Sequence, residues 1–78
     1  LSHSFRLIGW VVNIISEKNQ IWIENEEAKI MVDIQLVSTF QFTLKNRYEF
    51  FGEPEVDEEG NVYIKVRVVR HVEKYDKN

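Results

Sequence analysis

Residues 4–16 read SFRLIGWVVNIIS. The stretch is rich in β-branched and aromatic side chains, the types that fit a pleated, half-buried surface. Both parities are apolar: Leu7, Val11 and Ile15 on one, Ile8, Trp10, Val12 and Ile14 on the other. A strand with one solvated face alternates apolar and polar residues. This one needs cover on both faces for part of its length, as when a long strand bends across two sheets. Gly9 lies inside it, where a glycine marks a bulge or a sharp bend.

The rest of the chain also reads as strands. Residues 17–19 form a short polar turn, and residues 20–25, QIWIEN, form a second strand. After a turn at 26–28, residues 29–37 alternate cleanly. Ile30, Val32, Ile34 and Leu36 take the core face; Lys29, Met31, Asp33 and Gln35 take the open face. Residues 38–46, STFQFTLKN, interrupt the pattern and have room for a helical turn that packs Phe40 and Leu44 against a barrel end. Residues 47–53 make a fourth strand, 54–61 an acidic loop ending in the turn signal Gly60–Asn61, and 62–72 a fifth strand. On the fifth, Val62, Ile64, Val66 and Val68 face inward, while Tyr63, Lys65, Arg67 and His71 face out, joined by Val69. A polar tail, 73–78, ends the ordered domain. A long first strand with an internal glycine, and an interruption between strands three and four, predict an all-β, five-stranded OB-fold Greek-key barrel. The rival is an SH3-like small barrel, whose strands are usually shorter.

Seventy-eight residues make one domain, taken as 1–78. A composition 44% hydrophobic and 13% aromatic supplies a core and excludes a disordered chain. Cysteine is absent, so neither disulfide nor thiolate metal site can staple the fold. Histidine occurs only at His3 and His71, so no metal site is expected. The chain begins at Leu1, which points to a longer protein. It has no apolar run of transmembrane length and no signal-peptide pattern, which makes a soluble intracellular protein the default expectation. The net charge of −3 and pI of about 5.3 argue against a strong, autonomous grip on nucleic acid, though a local basic stripe remains compatible.

Nothing in the sequence reads as catalytic. Glu26–Glu27 and Asp57–Glu58–Glu59 are carboxylate runs in turns, normally solvated surface, and Gly9, Gly52 and Gly60 form no phosphate cradle. No enzyme activity and no cofactor are expected. Binding is better supported. OB barrels use the outer faces of strands two and three, with the loops between strands one and two and between four and five. They combine cations for phosphates with aromatics for bases. On that map the nucleic-acid candidates are Lys18, Asn19, Trp22, Lys29, Tyr63, Lys65 and Arg67, with Arg70 extending the stripe. Each has a plainer reading. Trp22 lies between Ile21 and Ile23, where a tryptophan is slightly more often core than platform. Lys65 and Arg67 serve equally well to keep an open face soluble. Arg70 falls on the core parity, so either a bulge precedes it or the barrel ends there. Trp10, Met31 and Val69 are candidates for a protein-partner patch. The acidic loop repels phosphate where many such barrels clamp nucleic acid.

The segment NRYEFFGEPEVDEEGNVYIKVRVVRHVEKYD has a large apolar pair, a glycine, an acid, a variable loop, a second glycine and a basic-alternating strand that ends in valine. It resembles the small OB subunit of the CST telomere complex, the Ten-type subunit, a relative of the small subunit of replication protein A. The opening FRLIGWVVNI resembles the apolar–Gly–x–Val start that both families share. The resemblance implies a non-catalytic subunit that stabilises a larger OB-fold partner in a heterodimer or heterotrimer. It also implies single-stranded DNA held weakly or jointly, and a nuclear location at chromosome ends. A protein-interaction OB module of a replication or repair complex, without DNA contact, is the alternative. In these families pairing uses a helix after strand five; this sequence reaches Asn78 with no amphipathic helix.

Overall fold

A computed structural model describes residues 4–72 and corrects the reading of the first strand: a register shift at Val12 moves the inward side from Leu7 and Val11 to Ile14, while Trp10 and Val12 are exposed. That strand, β1 (Phe5–Ile15), is shared between two pairings. Its first half runs antiparallel to β4 (Arg47–Val56), from Phe5 opposite Gly52 to Trp10 opposite Arg47. Its second half runs antiparallel to β2 (Gln20–Glu24), from Trp10 opposite Glu24 to Ile15 opposite Gln20. β2 continues into β3 (Lys29–Asp33), and β4 pairs along its length with β5 (Val62–His71). A short parallel seam, Val32 beside Ile64 and Asp33 beside Lys65, joins β3 to β5. The sheet thereby closes in the order β1-β2-β3-β5-β4. Closure leaves no long unpaired edge for a chain so rich in strand formers.

The core is Val11, Ile21, Ile23, Val32, Ile34, Tyr48, Phe50, Ile64 and Val66, with Leu7, Ile14, Ile30, Val37, Phe40, Phe42 and Val69 packed around it. Full burial of each valine, isoleucine or phenylalanine is worth about 1.5–3 kcal/mol over exposure. Phe40 and Phe42, from the segment after β3, stopper one end of the barrel against Tyr48, at ring-centroid distances of 5.7 and 5.2 Å. The Tyr48 hydroxyl is satisfied by accepting a hydrogen bond from the Thr43 amide at 2.8 Å.

Several local expectations change. Strand three stops at Asp33, whose carboxylate accepts the Gln35 amide, and residues Gln35–Val37 form a 3₁₀ turn. The helical turn between strands three and four therefore comes before residues 38–46, and Leu36 is exposed. Phe40 packs as expected, whereas Leu44 is exposed. β4 runs on past Glu53 through Pro54 to Val56. Beyond Gly52 it has no β1 partner, an edge setting in which a strand tolerates proline. The acidic loop shrinks to a tight turn from Asp57 to Gly60. On β5 the register shifts opposite Phe51–Gly52, leaving Arg67 as an extra residue. This bulge reverses the parity. Val68 becomes exposed, Val69 joins the core side and Arg70 points outward. Val62, expected inside, is 65% exposed at the barrel end. His71 lies beside Tyr48 and Phe40, on the opposite side from Lys65. The polar tail, 73–78, lies outside the described residues.

Gly52 sits where the bulge presses β5 onto β4. A Cβ there would lie 2.3 Å from the Lys65 carbonyl oxygen and 2.9 Å from Ile64 Cγ2. Gly60 differs: its φ is +89°, but open space surrounds it. Urea denaturation should therefore separate them. Gly52→Ala is expected to cost about 3 kcal/mol through steric overlap with backbone. Gly60→Ala should cost about 1 kcal/mol through its left-handed backbone alone. Equal losses would show that the Gly52 contact is not a steric limit.

Candidate nucleic-acid interface

Because Ile21 and Ile23 point into the core, Trp22 must point out. It is half-buried on the barrel surface, with Asn13 of β1 on one side and Met31 of β3 directly opposite on the other. Lys29 Nζ lies over its ring, 5.8 Å from the centroid. The next outward row runs from Gln20 to Asp33 to Lys65 to Glu53 across β2, β3, β5 and β4. Trp22, Met31, Lys29, Tyr63 and Lys65 thus share the outer face of β2, β3 and β5, and Trp22 belongs to the surface, not the core.

Lys18 and Asn19 sit at one end of that face, in the 3₁₀ turn Ser16–Lys18 and its cap. Asn19 is left-handed at φ 54°, a conformation asparagine tolerates better than most residues. Its amide binds the Ser16 carbonyl and its carbonyl accepts the Ile34 amide at 2.8 Å. Backbone geometry explains that asparagine without any ligand.

The cations on this surface are interleaved with carboxylates. Arg67 at the bulge reaches Glu53 at 3.3 Å. Lys65 stands between Asp33 and Glu53 in register. The Tyr63 phenol is pushed above its usual range, first by burial, then by the negative charges of Glu55, Asp33 and Asp57. Asp57 itself is held below the usual range, chiefly by the Asn61 amide, so the turn keeps its charge. A phosphate approaching this face meets mixed charge.

The partner patch expected at Trp10, Met31 and Val69 is not one surface. Trp10 is outward on β1 and 47% exposed, with the Arg47 guanidinium 5.3 Å from its ring centroid. Met31 lies two strands away, about 10 Å. Val69 packs against the core. His71 packs among aromatics, and His3 lies outside the described residues. Among the described residues no group of three His, Cys, Asp or Glu is placed to hold a metal ion.

Sequence reasoning missed Glu49. It is one of the inner residues of β4 by burial, yet it faces the outer side between Ile8 and Arg70 in register. Arg6 of β1 donates to one carboxylate oxygen; Arg70 of β5 contacts the other at 2.8 Å. Arg70 also lies 5.4 Å from the Phe51 ring centroid. Three strands are thus tied by one carboxylate. The alternation of β4 carried no hint of this, since its two partners lie 43 and 21 residues away.

A closed all-β barrel with this strand order belongs to the class of OB-type barrels. The family model for the telomere-capping CST complex subunit matches residues 2–78, and the chain belongs to that family. Two solved structures show the same fold. The hypothetical protein ygiW of E. coli matches at TM-score 0.72 and 26% identity, covering 91% of this chain and 76% of its own. A chain of the S. pombe Stn1–Ten1 complex matches at TM-score 0.72 and 12% identity, covering 96% of this chain and 67% of its own. No curated protein sequence matches significantly.

The Arg6 hydrogen bond holds the Glu49 carboxyl below its usual range; burial opposes this, and Arg70 lowers it further. A carboxyl lowered in the folded state stabilises above its unfolded pKa and loses that contribution as pH falls through the folded value. Glu49→Gln should accordingly be less stable than the parent at pH 7, with the difference closing in acid. Urea midpoints measured from pH 7 to pH 2.5 will check this. A gap independent of pH would mean that the charge of Glu49 does not matter.

Proposed function

We propose that this chain is a non-catalytic OB subunit of a telomere-capping assembly, acting chiefly by stabilising a larger OB-fold partner. The observation that carries this reading is the family match, which spans nearly the whole chain. The S. pombe structure, in which a chain of the same fold stands in a Stn1–Ten1 complex, supports a partner of that kind. Single-stranded DNA is then shared with the partner at chromosome ends in the nucleus. Trp22 and Met31 offer apolar surface to bases, and Lys18, Lys29, Lys65 and Arg67 offer cations. The paired Arg67–Glu53 and the carboxylates around Tyr63 keep the grip of the isolated chain weak.

The same carboxylates favour a second reading, a protein-interaction module of a replication or repair assembly with no DNA contact. The two separate on a titration of fluorescent single-stranded DNA at low salt, with the chain alone and with its partner subunit. The shared-binding reading predicts weak binding alone and tighter binding in the complex. Lys65→Glu with Arg67→Glu should then reduce the salt slope by about 1.4, two contacts at roughly 0.7 each. An unchanged slope and affinity would make the stripe a solubilising face and leave the protein-interaction reading. The stabilising role has its own check in the melting of the partner. At a hundredfold excess over Kd the chain should add about 2.7 kcal/mol to partner stability.

A further inference from the structure

Phe40 and Phe42 stopper one end of the barrel, and among the described residues no such pair covers the other. At the open end Phe5, Leu7, Ile30, Pro54, Val62, Tyr63 and Ile64 line a groove of about 340 Å³. Phe5 and Val62 on its lip are 49% and 65% exposed, and Val56 nearby is 64% exposed. Arg6 also borders the groove, but its guanidinium is engaged by Glu49. Tyr63 also lines a hollow of about 470 Å³ formed with Val56, Asp57, Glu58 and Glu59.

We propose that this open end is a docking site for a short segment of a partner protein that presents a large apolar side chain flanked by lysines or arginines. The apolar side chain fills the groove, which has the volume of a small ligand pocket. The cations meet the carboxylates of the adjoining turn. Exposed apolar surface gathered in one concave place marks such a contact more reliably than scattered residues do. The charge selects among occupants. Phosphates are repelled by the turn. A second copy would bring the same acidic turn against itself across a two-fold contact, in a chain whose net charge is already −3. The phenol of Tyr63, which lines both hollows, is raised first by burial and then by the charges of Glu55, Asp33 and Asp57. The inference goes beyond the telomeric reading and needs only the barrel. β5 spans the molecule from Val62 at the open end to His71 at the stoppered end, about 30 Å. A partner seated at the stoppered end leaves this one free.

The test is fluorescence anisotropy of the full chain with a labelled hexapeptide in which a tryptophan and a leucine stand between two pairs of lysines. Binding should shift amide signals at Leu7, Ile30 and Ile64 in a nitrogen–proton correlation spectrum. Val62→Glu, at an exposed position that spares folding, should weaken binding at least about tenfold. Glu58→Lys with Glu59→Lys should weaken it several-fold and remove most of its salt dependence. A peptide with serines in place of the tryptophan and leucine should not bind. The proposal is overturned if the first peptide fails to bind below millimolar concentration, or if the serine peptide binds as well. It is also overturned if Val62→Glu binds normally, or if the chain sediments as a dimer that Val62→Glu dissociates. None of these outcomes bears on pairing with a larger OB subunit, which is read from partner melting.

Discussion

Closure of the sheet is the constraint on which the rest of this barrel depends, and it is decided where β4 and β5 press together at Gly52. The Lys65 carbonyl occupies the space that any side chain at that position would need. The extra residue opposite, Arg67, sharpens the local twist and turns the second half of β5. Two consequences follow from this one contact. The first half of β5 reaches β3 and makes the parallel seam at Val32–Ile64 and Asp33–Lys65. The second half turns Val69 inward and Arg70 outward, and Arg70 meets Glu49. A flatter β4–β5 ribbon would lose both the seam and the triad.

Most of this architecture was legible from strand patterning. The period-two alternation of residues 29–33 and 63–66 maps directly onto inward Ile30, Val32, Ile64 and Val66, while Val62 at the barrel end is exposed. The two-faced composition of β1 reflects the register shift at Val12, which moves the inward side from Leu7 and Val11 to Ile14 and leaves Trp10 and Val12 exposed. What alternation cannot show is a one-residue bulge, because the insertion reverses every later side chain without changing composition. The doublets Val11–Val12 and Val68–Val69 are the available trace. At each, two adjacent valines stand where alternation asks for one, and each lies beside a register shift. Reading Val68–Val69 that way would have placed Arg70 outside and Val69 inside. The end of β3 had a local signal as well, since Asp33 accepts the Gln35 amide two residues on, the habit of an aspartate at a turn. For Trp22 the decision lay with its neighbours: two isoleucines fill the core better than one tryptophan, and the ring goes out.

The candidate site was legible in residue type but not in electrostatic setting. Lys65 and Arg67 look like a stripe along one strand. Across strands they become members of alternating rows, because Glu53 and Asp33 occupy the neighbouring outward positions. Sequence distance hides such pairing: Arg67 and Glu53 are 14 residues apart, on opposite arms of a hairpin. Exposed ion pairs of this kind contribute little to stability, about 0–1 kcal/mol. Their larger effect is on the field that a phosphate would meet.

That field distinguishes a subunit from a free-standing binder. An OB barrel that holds nucleic acid alone concentrates cations along the groove where aromatics stack. Here the aromatic platform is present, while its cations are shared with carboxylates already in place. A phosphate competes with Glu53 for Arg67 and meets Lys65 with Asp33 and Glu53 beside it in register, so part of the Coulombic gain is offset by repulsion. A partner that covers the carboxylates, or supplies its own cations beside Trp22, removes that cost. On the proposed reading, nucleic-acid contact belongs to the assembly more than to the isolated barrel, and Glu53 and Asp33, not any deficiency in the aromatic face, are the reason.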